Sequence, residues 1–252
     1  MNDVIMNLRI AEFVKDGSVR RVSIEAKLAA MGAYYQNGFG IQLQGVPSDQ
    51  IKSDSISWSL DSITQTDAVQ EDNQTNAVFI LSNDVSSQVT LLQGCSYLRT
   101  EQGCDSNYRT TWQLSFAFEN PIAQADMPAP PYDPFIFATP YTKHGTAAKN
   151  VVGEHPGRQL EIHLKNQAPT DAFNTAYFGA REDASDPGNN QYFMNNNGMS
   201  WAIEIPSSWK HPKELKRLDN AYPQFVNFAA DATGNTNNNW YETSVTELIF
   251  DN

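Results

Sequence analysis

The sequence predicts a mainly β fold: an antiparallel β-sandwich of jelly-roll-like topology, with one or two short helices near the C-terminus. Three observations point to it. Short stretches in which apolar and polar side chains alternate recur along the chain, glycine, asparagine and aspartate separate them, and helical periodicity is almost absent before residue 210. Each alternating stretch has one face to bury, so many of them joined by turns call for two packed sheets.

The elements follow in order. Val4 to Phe13 alternates, with Val4, Met6, Leu8 and Ile10 on one side. Residues 19–30 set Val22, Ile24, Ala26 and Leu28 against Arg21, Ser23, Glu25 and Lys27, and "GFGIQLQG" puts Phe39, Ile41 and Leu43 on one face. Strand signals continue around Trp58, around Phe79, and in "TWQLSFAFE", where Trp112, Leu114, Phe116 and Phe118 alternate. Prolines at 128, 130, 131 and 134 fix an extended path and cannot sit inside a ladder. Residues 127–134 are therefore expected to be a long crossover inside one domain, leading into a strand over 134–139. Alternation returns in "RQLEIHLKN" (158–166) and "SWAIEIP" (200–206). Only in "HPKELKRLDNAYPQFVNF" does the period change, with Leu215, Leu218, Tyr222, Phe225 and Phe228 at steps of three and four. That spacing predicts a helix with Pro212 in its first turn and an interruption by Pro223 near Tyr222.

A formal charge of −12 and a pI near 4.6 exclude nucleic acid and anionic membrane surfaces as partners, since both require a basic footprint. No stretch approaches the ~20 apolar residues of a membrane span. Acidic, asparagine-rich loops suit a hard divalent cation, and they equally keep a protein soluble. Cys95 and Cys104, flanked by turn-forming glycines, have neither redox-pair nor zinc-site spacing, which leaves a disulfide or two unrelated thiols. Their closeness favours the disulfide, and a disulfide implies a periplasmic or extracellular location.

Motifs across the chain resemble the LruC domain, also called DUF4842, of bacterial exported proteins. They include Gly157, Arg158 and His163 in "GRQLEIHL", Pro169–Thr170, Phe178–Gly179 with Asp183 and Ser185, and Trp201–Ala202. Pro212 and Glu214, "AYPQF" at 221–225 and Trp240–Tyr241 continue the pattern, and "NDVIMNLRI" with "NGFGIQL" matches its N-terminal part. Met199–Ser200 and Phe228 depart from the usual Leu-Pro and tryptophan. The resemblance implies a single domain over 1–252, located in the cell envelope or outside the cell and forming part of a larger surface protein. It also implies that the chain starts within an Asx-rich run of which Asn2 and Asp3 are the last members. It assigns no catalytic residue.

Candidate sites are weighed on that basis. Calcium is the expected cofactor, with Asp3, Asp183, Asp186 and Asn189 as candidate ligands. The same Asp and Asn residues also favour turns by bonding their own backbone. Asn237, Asn239, Trp240 and Tyr241 form a candidate sugar platform, with Tyr34 and Tyr35 as further aromatic contacts; Trp240 serves equally well as a core residue. The leading expectation is a non-catalytic surface-interaction or adhesion module with a glycan or protein ligand. A carbohydrate-active hydrolase using paired carboxylates among Glu161, Glu204, Asp183 and Asp186 is the alternative, and an architectural spacer is a third.

Overall fold

A computed structural model describes residues 3–105, 110–144, 155–206, 208–231 and 233–250. Its frame is two antiparallel sheets. The first, in the order β1-β2-β7-β4-β5, comprises β1 (Ile5–Lys15), β2 (Ser18–Ala30), β4 (Ser57–Leu60), β5 (Ile63–Thr64) and β7 (Thr111–Ala123). The second, in the order β6-β3-β8-β9, comprises β3 (Asn37–Pro47), β6 (Asn76–Ser82), β8 (Asp133–Ala138) and β9 (Glu161–Ile162). The chain is thus mainly β, with only short helices near its C-terminus.

Alternation explains the core. In the first sheet Ile10 pairs with Ile24 and Ile24 with Leu114, so one apolar row crosses three strands. Val22, Ile24, Ala26 and Leu28 meet Phe39, Ile41, Leu43 and Phe79 of the second sheet, and the rings of Phe79 and Phe116 stack with centroids 4.6 Å apart. The proline-rich segment after β7 carries the chain from the first sheet to β8 of the second.

β3 is buried on both faces from Asn37 to Leu43, which single-face alternation does not anticipate. Its outward-facing glycines give the reason. A Cβ on Gly38 would lie 2.2 Å from the Phe137 ring and one on Gly40 2.6 Å from the Phe135 ring, so "NGFG" leaves room for two phenylalanines on the back of the sheet. Residues 155–195 cover those rings.

Three expected elements come out differently. "RQLEIHLKN" is a strand only at Glu161–Ile162, because its polar side chains turn into a buried ion network. "SWAIEIP" is no strand: Ser200 bridges Met194 and the Trp201 N–H reaches the Phe193 carbonyl, but no strand or bridge pairs with residues 202–206 among the described residues, where the Pro206 carbonyl accepts only from the Trp209 N–H. The helix begins later than predicted. α1 (Leu218–Ala221) and α2 (Phe225–Ala230) flank a break at Tyr222–Gln224, where Pro223 stands. Residues 212–214 bond sideways instead, Pro212 bridging Ile249 and the Glu214 N–H donating to the Thr100 carbonyl, and Leu215 is 79% exposed at φ +60°.

Around these helices lies a second, smaller core of Tyr222, Phe225, Ala229, Trp240 and Ile249. The loop closed by the Cys95–Cys104 disulfide, whose Cα atoms are 5.6 Å apart, joins it to the sandwich. Leu98 exchanges two backbone bonds with Met31, the Arg99 guanidinium donates to the Ala29 carbonyl at 2.6 Å, and the Arg99 carbonyl accepts from His211 Nε2 at 2.6 Å. Burial lowers His211 to about 4, so it is neutral at physiological pH and serves as a donor.

Candidate functional site

Two features stand out: a buried ion network behind the second sheet, and an open groove along β1. The network begins with His163, which is fully buried and stacked on Phe135 with ring centroids 4.5 Å apart. Its Nδ1 lies 2.7 Å from Asp133 and its Nε2 2.8 Å from Glu161. Burial alone would lower its pKa, but the two carboxylates overcome that and raise it to about 9, so it is an imidazolium at neutral pH. Glu161 also accepts from the Thr170 N–H at 3.0 Å, the Thr170 hydroxyl at 2.6 Å and the Arg158 guanidinium. Burial would raise its pKa, yet His163, Arg158 and Thr170 together hold it below the usual carboxylate range. Arg158 forks onto Glu71 at 2.8 and 2.7 Å and lies over the Phe137 ring, while Gln42 donates to Asp133 at 3.1 Å and to the Ala168 carbonyl at 2.9 Å.

Carboxylate–imidazole–carboxylate contacts resemble catalytic apparatus, but Asp133, Glu161 and His163 are each at most 1% exposed. The chain's own groups bond both nitrogens of His163, both oxygens of Glu161 and Oδ2 of Asp133, while Asp133 Oδ1 is buried with no partner among the described residues. The network fastens residues 158–170 to β3, to β8 and to Glu71 ahead of β6, and that is its evident work.

The groove is different. It has a volume of about 910 Å³ and runs between β1, the edge of the first sheet, and residues 199–206, reaching β8 and β9 at its floor. Val4, Met6 and Leu8 form one wall and Trp201, Ile203 and Ile205 the other. Trp201 is 40% exposed. The charged side chains lining it are Asp3 and Glu204, both acidic; burial raises the pKa of each, and Glu214 adds to the effect on Asp3. A smaller cavity of about 200 Å³ adjoins it, sharing Asp3, Ile136 and Ile162 and adding Tyr35, His144 and Arg181.

A family profile described as a domain of unknown function, DUF4842, matches residues 17–241. The chain belongs to the DUF4842 family. Within this DUF4842 chain, most of the signature from Gly157 to Thr170 is the buried network, and Gly38 and Gly40 of "NGFGIQL" hold the phenylalanines beside it. A crystal structure described as a "Putative lipoprotein" from Bacteroides ovatus superposes with a TM-score of 0.66 at 19% identity, covering 99% of this chain and 70% of that one, and it shares the fold. No curated protein matches the sequence.

The sequence-derived candidates scatter. Asp183 accepts from the Gly179 and Ser185 N–H groups, the Ser185 hydroxyl and the Trp201 indole, so its oxygens organise a loop. Asp186 accepts from the Asn189 side chain at 2.7 Å in a tight turn that continues through Asn190 at φ +54°. Asp3 lies in the groove instead. Among the described residues no three His, Cys, Asp or Glu side chains gather as a group that could hold a metal ion. Asn2 lies outside the described residues.

The expected sugar platform loses its main ring. Trp240 is 3% exposed and packs on Tyr222 and Phe225, because the apolar steps of α2 need a lid. Asn237 takes a left-handed turn conformation, Asn239 donates to Glu242, and Tyr241 is half-buried beside Trp240. Tyr34 and Tyr35 are 87% and 43% exposed and belong to no part of the small core that contains Trp240. Glu161, one of the possible paired carboxylates, is sealed in the network. The periodicity of β1 and "SWAIEIP" was the available signal for the groove, since both read as strands.

Proposed function

We propose that this protein is a non-catalytic module of the bacterial cell envelope or cell exterior, of the kind expected for LruC-type domains, and that it engages a polypeptide partner through the groove beside β1. One observation carries the reading: an open depression of about 910 Å³ is bounded by residues of strand-like sequence and, among its lining side chains, only acidic charge, while the carboxylate–imidazole–carboxylate constellation is closed to solvent. Its volume falls within the ~300–1,000 Å³ of typical ligand sites. Support for the location comes from the Cys95–Cys104 disulfide and from the lipoprotein named as the structural neighbour.

Selection from a random twelve-residue peptide library, run beside a glycan array, tests this. The reading expects peptides to be enriched on the wild-type protein and lost on Ile203→Asp, whose thermal unfolding is checked in parallel. The exposed Tyr34–Tyr35 pair favours a second reading, sugar stacking, and array signals abolished by Tyr34→Ala would establish that reading in place of the first.

A further inference from the structure

We infer that β1 receives an extended segment of a partner protein as an added strand, and that this segment is apolar along one face and carries a basic residue near Asp3. This deepens the groove-binding reading above and rests on it. The first support is backbone. β1 runs eleven residues yet pairs only with β2, and no backbone hydrogen bond from any of its residues to another element exists among the described residues. Along such a strand every second residue directs its N–H and C=O away from the partner, so β1 presents a row of open donors and acceptors to the groove side.

The opposite wall has the same character. Residues 202–206 have the alternating sequence of a strand, Ile203 and Ile205 rooted in the small C-terminal core, and among the described residues their backbone makes one hydrogen bond, from the Trp209 N–H to the Pro206 carbonyl, leaving 202–205 with none. Two stretches with strand-like sequence and unpaired backbone thus face each other across a channel. Trp209 also lines it, and its indole N–H is buried with no acceptor among the described residues. An inserted strand supplies the partners that the open backbone groups of β1 and residues 202–205 lack, since main-chain bonds give affinity and alternate side-chain pockets give specificity.

Charge selects the occupant further. Asp3 and Glu204 line the groove without a lysine or arginine among its lining residues, and His211 there is neutral. A lysine or arginine on the incoming segment would answer Asp3. A second copy offering its own β1 fits poorly. A two-fold antiparallel pairing of β1 with itself would set residues of the same face opposite one another, so Arg9 would meet odd-numbered residues such as Asn7, Arg9, Ala11, Phe13 or Lys15 and never Glu12 on the other face.

The test uses a synthetic twelve-residue peptide alternating valine and threonine, with one lysine near its end, and two versions N-methylated at one or the other alternate set of amides. Binding to the whole protein is followed by fluorescence anisotropy. Methylation of at least one set should weaken binding ~10-fold or more through lost backbone bonds, as should Lys→Glu in the peptide, and Trp201→Ala should weaken all three peptides. If both methylated peptides bind like the parent, or if the parent fails to bind while library-selected peptides do, strand addition is wrong and groove binding stands. If the peptide binds equally to Ile203→Asp, the groove reading itself falls. Dimerisation of the free protein that the peptide reverses would make a second copy the occupant and overturn the proposal.

Discussion

The sandwich and the layer laid over it are held by different physics. Residues 5–138 form long ladders whose apolar rows interlock over a continuous core of Ile24, Phe79, Phe116 and their neighbours. The described residues of 155–250 contain one two-residue strand, two short helices and a series of 3-10 turns. What fixes them is side chain to backbone: Asp183 collects four donors, Asp231 binds the Thr233 and Thr236 N–H groups, and Glu161 binds the Thr170 N–H. The difference teaches that one region depends mainly on volume and periodicity, the other on matched polar groups.

The sharpest way to break that contrast is His163→Leu. Leucine is apolar and of similar size, but it leaves Asp133 and Glu161 buried without their shared cation, and we expect a loss of about 3–5 kcal/mol in chemical denaturation. A loss under 1 kcal/mol would show that the network is incidental. Next comes the joint between the regions. Replacing Cys95 and Cys104 by serine should cost about 2–3 kcal/mol, and proteolysis should then cut first in residues 208–250, because the loop presenting the Arg99 carbonyl to His211 is no longer closed. Uniform cleavage in the sandwich would contradict this.

The pH dependence follows from the same network. His163 has a folded pKa raised to about 9 against an ordinary 6.5, so its contribution is complete below about 6.5 and is lost as the pH rises through about 9. Glu161, held low, contributes above its ordinary range and loses that contribution as the pH falls through its depressed value. Denaturation midpoints should therefore decline from pH 6.5 to 9 in the wild type and not in His163→Leu. Smallest is Ile24→Leu in the sandwich, expected to cost less than about 1.5 kcal/mol because volume is conserved.

Sequence alone displayed the first region well, because burial against a second sheet writes period two into β1, β2, β3 and β7. It displayed the second region poorly. "RQLEIHLKN" alternates not to face solvent on one side but to place Arg158, Glu161 and His163 in a polar network, and "SWAIEIP" has the strand pattern without a partner. Pro223 was readable as a helix break, whereas the late start of α1 was not, since it depends on Glu214 and Pro212 bonding to residues far away in the chain. For the groove, the strand-like patterns of its two sides were readable but their meeting was not, since the two segments lie about 200 positions apart.

The central claim is that the open flank beside β1 is where this module meets its partner. Hydrogen exchange with and without a library-selected peptide tests it most directly. The account predicts new protection confined to residues 5–15 and 199–206; protection centred on Tyr34 and Tyr35, or on the buried signature residues 158–170 alone, would contradict it.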